Sequence, residues 1–571
     1  MKNYHLRKIA RHHRESGQAL VFMVLALSVF LLAAGALCVD MSNLWFHRQA
    51  AQNAADSACT AGAMDLLVDA QGGATGHQGF VNGTAFNCSV TSTAAPCQYA
   101  AKNGYTSNNT SPGSLVSVSF PTAMIGVPAG SVAPATLAPT QFMRVDVTDN
   151  VPTFFSGLLS GNQTQTVRAF AACGVVLAKA PIPILVLDPL NPVTTPPSKA
   201  LDIQGTPSIK IVGGPTQSIQ VNSGAATAVN IGGSASINLT KGGPNFDGSS
   251  LGTYGGPATA PSGFVTAGSG KWMTSSPIAD PFAQIAAPAV PADPAALTGA
   301  VVCNSSTIQG GNCNVAYTVH GCPDATNGCT LFRAGYYPNG ICIGSGGCGG
   351  GIAHASRNTA IFDPGLYYVN NGIQLMSHAM VRPGTDAGDG SGGTVFYLTG
   401  AANSCSGQSG LLCVGSNSGS EAIDAFNTAA VQCPGGAAPD PNLNLPATLP
   451  GNVLLAPCTG TYGDPLGKYR GILFFQDRAS GGGGGWGGGG GFLLAGSMYF
   501  HHCNASGTGV SCGANPTYYN SIFTLQGNSG SASYVLGNII TDNLSMGGTP
   551  TINMALNPTA AYSTLKATLL R

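Results

Sequence analysis

Charge is scarce in this chain: 22 Lys plus Arg and 22 Asp plus Glu among 571 residues, 8% in all, against about a quarter in an average soluble domain. With so few cations and a formal net charge of +0, little is available to neutralise a phosphate backbone, which excludes a general nucleic-acid binder. The 17 cysteines include no Cys-x-x-Cys, which removes zinc-ribbon and thioredoxin-like spacings. The long glycine tract from Gly481 to Gly491, broken by Trp486, lacks the Lys-Ser/Thr of a phosphate loop. It is expected as flexible chain, with Trp486 plugging an edge. Gly-x-Ser-x-Gly occurs around Ser250 and Ser511, but no apolar strand enters and no helix leaves either turn, so a nucleophile elbow is not expected. What is abundant is glycine (81) and proline (37), within a chain that is still 44% hydrophobic; that apolar content excludes a disordered polymer.

The charges that exist are unevenly placed. Lys2, Arg7, Lys8, Arg11 and Arg14 precede an uncharged run from Ala19 to Val39, closed by Asp40. At ~1.5 Å rise per residue this run is about as long as a bilayer core is thick. Basic residues before it and none directly after it predict residues 1–16 as a cytoplasmic tail and the bulk of the chain as exported. Ala34-Gly35-Ala36 resembles a signal-peptidase site, but the preceding apolar stretch is long for a signal peptide. Leu37 before Cys38 excludes a lipoprotein signal. A retained single-pass anchor is expected, with the bulk of the chain outside.

Beyond Cys38 an even number of cysteines remains. Fourteen form close sequential neighbours: Cys88/Cys97, Cys303/Cys313, Cys322/Cys329, Cys342/Cys348, Cys405/Cys413, Cys433/Cys458 and Cys503/Cys512. Short loops closed by disulfides fit an oxidising compartment, and Cys59 and Cys173 are left as a candidate long-range pair.

From Met41 to Val68 the pattern stays helical, and small residues at Ala51, Ala55, Ala58, Cys59 and Gly62 form a ridge suited either to a second helix or to the helix's own domain. Gly72-Gly73 ends the helix. The stretch Ala33-Ala34-Gly35-Ala36-Leu37-Cys38-Val39-Asp40, then Trp45-Phe46-His47-Arg48, Gln52-Asn53-Ala54-Ala55-Asp56-Ser57-Ala58 and Ala61-Gly62-Ala63 resembles the N-terminal signature of TadG-like proteins. That family is associated with the tight-adherence (Flp) pilus assembly system of bacteria. The resemblance covers about 50 residues and implies an inner-membrane anchor, with other tight-adherence pilus proteins or pseudopilins as partners. Two family-level features are missing. Gly17 stands where a prepilin is cut, but its fifth follower is Phe22 rather than Glu. The apolar strand Ile182 to Leu187 ends in Asp188-Pro189-Leu190-Asn191-Pro192, without the serines of a von Willebrand A metal site.

The fold class expected is mainly β. The transmembrane and stalk helix (17–70) leads into a small mixed α/β module (75–180), with strands at Ser114 to Phe120, Phe142 to Val147 and Gln165 to Val176 and a short helix at Phe154 to Leu159. From Leu201-Asp202-Ile203 onward, apolar–polar–apolar triplets recur at Ile209, Ile219, Val229 and Ile237, each 8 to 10 residues after the last. Short strands at near-constant spacing, with inward aliphatics, predict a right-handed β-helix over 195–571. Insertions rich in Cys, Gly and Pro are expected at 255–360 and 402–467. A β-sandwich with large loops is the alternative.

Such solenoids often host glycan chemistry through clustered carboxylates. Asp363, Asp386, Asp389, Asp477 and Arg478 are the local candidates. Asp386 to Ser391 has the carboxylates and glycines of a Ca²⁺ turn, but a solvated turn is the plainer reading, and Asp477-Arg478 is expected as a turn ion pair. His501-His502 lacks a partner site. No catalytic, cofactor or metal site is expected. A non-enzymatic, membrane-anchored component of pilus assembly, adhesion or envelope scaffolding is expected; a surface protein binding or cleaving cell-wall or surface glycans is the alternative.

Overall fold

The computed structural model describes the chain apart from residues 1, 71–78, 108–112, 128–130, 134, 136–137, 158–160, 180–181, 189–198, 279, 284, 294–312, 345–347, 349–352, 355–357, 387–391, 406, 422, 432–439, 464–468, 489, 504–518, 528–531, 557–562 and 571, with backbone only over 2–17, 177–179, 353–354, 488, 532 and 563–564. The chain is mainly β, with one long N-terminal apolar helix. It divides into two compact units, Met1–Ala178 with Leu565–Arg571, and Lys179–Thr564.

In the first unit the helix Lys2–Ala70 runs without a break. Its apolar segment leaves Leu20, Phe22, Met23, Phe30 and Leu32 exposed on all sides, the pattern of a helix solvated by lipid rather than by protein; it is long and apolar enough to cross a membrane. About three turns past Asp40 the pattern changes. Ala51, Ala54, Ala55, Ala58, Cys59, Ala63 and Leu66 are buried against Val116, Val118, Met143, Val145, Val147, Ala169 and Ala171. The small-residue ridge therefore packs on the unit's own antiparallel sheet. A Cβ at Gly62 would sit 2.3 Å from the Met143 sulfur, so glycine lets helix and sheet approach. That sheet runs in the order Phe86–Asn87, Ser114–Ser119, Phe142–Pro152, Thr164–Lys179 and Ser563–Leu570. The last strand belongs to this unit, so the expected extension of the second unit to residue 571 is corrected: the C-terminus supplies the edge partner of Thr164–Lys179. Cys59 and Cys173 are disulfide-bonded across 114 residues, and Cys88 and Cys97 across nine.

In the second unit the triplets form parallel strands. Leu201–Ile203, Ser208–Gly213 and Gln217–Val221 lie in three different sheets, and Val229–Ile231 returns to pair with the first. Asn230 then stands beside Asp202, 28 residues earlier. The 8-to-10 residue spacing in the sequence is therefore the step from face to face, and three steps return the chain to the same face. Among the described residues the three sheets hold ten, nine and seven strands, and their pairing is parallel throughout rather than the antiparallel ladder of a sandwich.

The order of pairing is not the order of the chain. Strands climb from Ile184–Val186 through Gln217–Val221 and Ser250–Thr253 to Trp272–Thr274 at one end of the ten-stranded sheet. The chain resumes at the opposite end with Gly335–Tyr337 and climbs back, until Ile539, Leu544 and Ile552 pair with Ile184, Leu201 and Ile209. The first and last strands thus meet in mid-stack.

A strap from Ser276 to Ala292 links the two ends. Asn222 holds Ile278 by two hydrogen bonds of 2.7 and 2.9 Å, Tyr469 Oη donates to Ala286 O at 2.8 Å, and the Tyr336 amide donates to Ala292 O at 3.1 Å. Phe282 and Ile285 are buried on the outer face of the ten-stranded sheet with Leu366, Val395, Tyr397, Phe475 and Tyr499. The interval 255–360 is therefore not one insertion. It holds this strap and the sheet strands Phe264–Val265, Trp272–Thr274, Cys329–Phe332, Gly335–Tyr337, Ile341–Ile343 and Thr359–Phe362, while Leu412–Val414 and Asn452–Leu455 lie within 402–467. Neighbouring Cys, Gly and Pro obscure these two- to four-residue runs.

The interior is aliphatic around residues 184–251, as expected, and between residues 332 and 523 aromatic rings join the aliphatic side chains. Phe332 and Phe362 lie 5.0 Å apart, Phe396 and Phe474 5.5 Å, and Phe500 and Phe523 4.9 Å. In the first two pairs, paired strands ~4.8 Å apart bring like positions to offset-stacking distance, whereas Phe500 and Phe523 meet from two different sheets.

The glycine tract contains a strand, Gly484–Gly488, which pairs with Leu412–Val414 and Ile522–Gly527. Trp486 is buried within it against Phe492, correcting the expectation of a flexible tract. A Cβ at Gly485 would lie 2.6 Å from the Ser409 carbonyl oxygen. Gly485→Ala is therefore expected to destabilise this unit by about 1–3 kcal/mol, as overpacking does. The urea midpoint of Trp486 emission measures it, and an unchanged midpoint would show that the Ser409 backbone yields freely.

Candidate functional site

At the end of the apolar helix segment, Asp40 is buried and its carboxylate accepts the amides of Phe154 at 3.0 Å, Phe155 at 2.9 Å and Ser156 at 2.5 Å. The Ser156 amide first, then those of Phe154 and Phe155, hold its carboxyl below the usual range. Within the helix expected at 154–159, Phe154 and Phe155 form a bend on Asp40 and Ser156 and Gly157 are helical, with 158–160 outside the described residues. One helical turn on, the Asn43 side chain donates to Pro152 O at 3.3 Å. His47 Nδ1 lies 2.9 Å from Asp149. Gln52 donates to Asp56 at 2.8 Å and to Phe170 O at 2.9 Å. Ala54, Ala55 and Ala58 are fully buried, whereas Gly35, Val39, Arg48 and Asn53 are exposed. The signature residues from Asp40 to Gly62 thus divide between seating the helix on its sheet and an outward face. Trp45, Phe46, Phe154 and Phe155 are exposed beside the apolar span, and of these the amphipathic indole of Trp45 suits a membrane–water interface.

In the second unit a polar cluster forms at the carboxyl ends of three neighbouring parallel strands, Cys329–Phe332, Thr359–Phe362 and Met380–Pro383. Their register places Phe332 beside Phe362 and Phe362 beside Pro383, so Arg333, Asp363 and Gly384 follow in a row. The turn Val319–Gly321 brings His320, in a left-handed conformation (φ 52°), to this edge. There the Thr385 amide donates to His320 O at 3.0 Å, and the Cys322–Cys329 disulfide ties the turn to the first strand. His320 Nδ1 is 3.0 Å from both Asp363 Oδ1 and Asp386 Oδ2. The Asp363 side chain is 3% exposed, and its Oδ2 has only a long ion pair to Arg333 Nε at 3.8 Å. Burial raises the Asp363 pKa against the opposing pull of His320.

The cluster opens on a cavity of about 460 Å³ lined by Gly321, Pro364, Arg382, Asp386, Asp424 and Phe426, among others. Arg382 is 3% exposed. One guanidinium nitrogen, Nη1, donates to Val381 O at 3.0 Å and to Gly451 O, while Nε and Nη2 find no hydrogen-bond acceptor. Burial pushes its pKa down to about 10. Of the carboxylates singled out in the sequence, Asp363 and Asp386 thus come together, and Asp389 lies outside the described residues. His320 was not among them, because its turn is 43 residues from Asp363 and carries no motif; the adjacent cysteine pair is the nearest signal.

Asp477 and Arg478 do not form the expected turn ion pair. Asp477 accepts from Thr399 Oγ1 at 3.0 Å and from the Ala479 amide at 3.1 Å. Arg478 turns to the strap, donating to Tyr499 Oη at 2.7 Å, to Ile285 O at 3.0 Å and to Phe282 O. Successive residues leaving a strand face opposite sides, which separates the two groups. His502 Nδ1 meets Asn520 at 2.7 Å. Ser250 is buried, its Oγ accepting the Lys271 amide at 3.1 Å; Ser511 lies outside the described residues. Disulfides join Cys322 to Cys329, Cys342 to Cys348 and Cys405 to Cys413. Cys313, Cys458 and Cys503 are also disulfide-bonded, whereas Cys303, Cys433 and Cys512 lie outside the described residues.

His501 is buried with Nδ1 2.5 Å from Asp542 Oδ1. Desolvation disfavours its charge, but Asp542, aided by Asp280 and opposed by Arg478, raises its pKa above the ordinary value. A raised folded-state pKa means a stabilising contribution fully present below pH ~6.5 and lost as the pH rises through the folded value. The urea midpoint is expected to fall across that window in the wild type and to flatten in His501→Asn. An equal slope in both would remove this pair as the cause.

Residues 17–65 match a known family. Its description is "Putative Flp pilus-assembly TadE/G-like", and the matched segment runs from the start of the apolar span to the buried alanine ridge. The N-terminal helix therefore carries a TadE/G-like pilus-assembly domain, which supports a pilus-related role with pilus components as partners. No curated protein matches the chain. Among solved structures, the competence-associated pilin ComZ from Thermus thermophilus is similar at 8% identity, over 78% of this chain and 88% of that one, with a TM-score of 0.16. Likeness at that level carries no argument about the fold.

Proposed function

We propose that this protein is a non-enzymatic, single-pass inner-membrane component of a bacterial tight-adherence (Flp) pilus assembly system, its N-terminus cytoplasmic and the chain beyond Asp40 exported. The observation that carries this reading is the family match over 17–65. Its apolar half is exposed all round, and its polar half is seated on a sheet through Asp40, Gln52 and the alanine ridge. In this reading the three parallel sheets are the faces of a right-handed β-solenoid, a stack that presents a long surface to pilus subunits, sister proteins or the envelope. The basic N-terminal tail and the disulfide-closed loops support the orientation.

Deleting the gene is expected to abolish or sharply reduce piliation, adhesion and biofilm, with restoration by the full chain; unaltered piliation and adhesion in the deletion strain overturn the role. Protease added to spheroplasts is expected to remove the exported units and spare an epitope at the N-terminus. Protection of both ends would overturn the topology.

A further inference from the structure

We propose that His320, Asp363 and Asp386 form a binding site for one divalent transition-metal ion, Mn²⁺ or Zn²⁺. Their donor atoms lie within 4.8 Å of one another, and two carboxylate oxygens converge on the same imidazole nitrogen at 3.0 Å each. A single N–H on Nδ1 is a poor match for that convergence, since one proton cannot donate well to two acceptors approaching from different residues. A cation matches it. Metal bonds of ~2.1 Å place neighbouring ligand atoms ~3.0 Å apart at the right angles of an octahedral site and ~3.4 Å apart in a tetrahedral one.

Burial provides the second, independent observation. The Asp363 side chain is 3% exposed, and its Oδ2 makes no hydrogen bond and has only Arg333 Nε, at 3.8 Å, as a charge partner, so a carboxylate has been taken out of water with partners that offset its desolvation only in part. A bound ion supplies what is missing. The ligands are also held in advance: Asp363 by the Phe332 carbonyl, which accepts its amide at 3.0 Å, and His320 by the Thr385 amide and the neighbouring disulfide.

The donor set chooses the metal. One imidazole with two carboxylates suits Mn²⁺ or Zn²⁺ better than Ca²⁺ or Mg²⁺, which favour oxygen alone. Three protein ligands leave coordination positions open, and Asp386 places them on the wall of the 460 Å³ cavity that Arg382 also lines. A water or an anionic ligand group fits there. The site does not depend on the pilus role.

The test uses the tag-free, full-length oxidised protein in detergent, stripped with EDTA and desalted. Titration with Mn²⁺, followed by loss of the free-ion six-line EPR signal, and with Zn²⁺, followed against a chelating dye, is expected to show uptake of about one equivalent. Asp386→Asn, at a half-exposed position, and His320→Gln are expected to weaken binding at least tenfold while leaving the thermal midpoint of the metal-free protein near that of the wild type. Ca²⁺ and Mg²⁺ at equal concentration are expected not to compete. No stoichiometric uptake, uptake unaltered in both variants, or preferential binding of Ca²⁺ would each overturn the proposal.

Discussion

Replacing Arg478 with Met is expected to destabilise the parallel-sheet unit by about 3–5 kcal/mol, the cost of removing one member of a buried, fully bonded charged network. The guanidinium is buried between the sheet and the strap. It donates to Tyr499 Oη and to the carbonyls of Phe282 and Ile285, and it lies 5.2 Å from the Tyr499 ring centre and 5.4 Å from that of Phe475. Methionine retains much of the volume but removes the donors to Tyr499 Oη and Ile285 O, whereas Phe282 O keeps the Ile285 amide at 2.9 Å. The strap has to cross seven inter-strand gaps between Gln217–Val221 and Gly335–Tyr337, roughly 34 Å at ~4.8 Å per strand. Arg478 fastens its middle. Two readouts separate local from global effects: the urea midpoint of Trp486 emission, and the rate at which protease cuts within 276–292. Faster cutting with little change in midpoint would mean that the strap detaches while the sheets persist. Tyr499→Phe removes one donor–acceptor link, to Asp280 at 2.7 Å, and the acceptor of Arg478 Nε; it is expected to cost less, about 1–2 kcal/mol. Wild-type stability and wild-type cutting in Arg478→Met would rule out the strap as a fastened element.

The second large effect is expected in the membrane-proximal unit. Cys59, on the stalk helix, is bonded to Cys173, on the strand Thr164–Lys179, closing a loop of 114 residues. Loop-closure entropy assigns such a cross-link about 4.8 kcal/mol, against about 2.6 kcal/mol for the nine residues between Cys88 and Cys97. Cys59→Ala with Cys173→Ala is therefore expected to cost more than Cys88→Ala with Cys97→Ala. Both long-range sulfurs are fully buried between helix and sheet, so alanine is the cleaner replacement. Hydrogen exchange of peptides from 142–152 in the full chain reports the loss. Exchange that rises more on opening the short loop would show that helix packing, rather than the cross-link, holds the helix to the sheet.

The apolar span, the stalk helix, the short-loop cysteine pairs and the triplet strands were legible in the sequence because each is a local pattern. Twenty-one uncharged residues have the length of a bilayer core, and alternation at period two decides which side chains face inward. Two of the three residues of the polar cluster were visible as carboxylates. Their meeting with His320 was not, since it depends on a turn lifted to the ends of strands that are neighbours only after folding. The same holds for Arg478: its chemistry was plain, but its partners lie 193 and 196 residues away.

The tertiary structure alone decided the order in which strands stack. Each parallel strand offers hydrogen bonds on two edges, and its local sequence specifies the inward face but not which strand takes which edge. Pairing Ile539 with Ile184 and Leu544 with Leu201 covers edges that would otherwise stay open in mid-stack. That arrangement in turn requires a crossing strap, so prolines and glycines that read as an insertion became a fastened element on the sheet. In the same way, the closing strand Ser563–Leu570 went to the antiparallel sheet rather than to the stack, because the edge of Thr164–Lys179 was there to be covered.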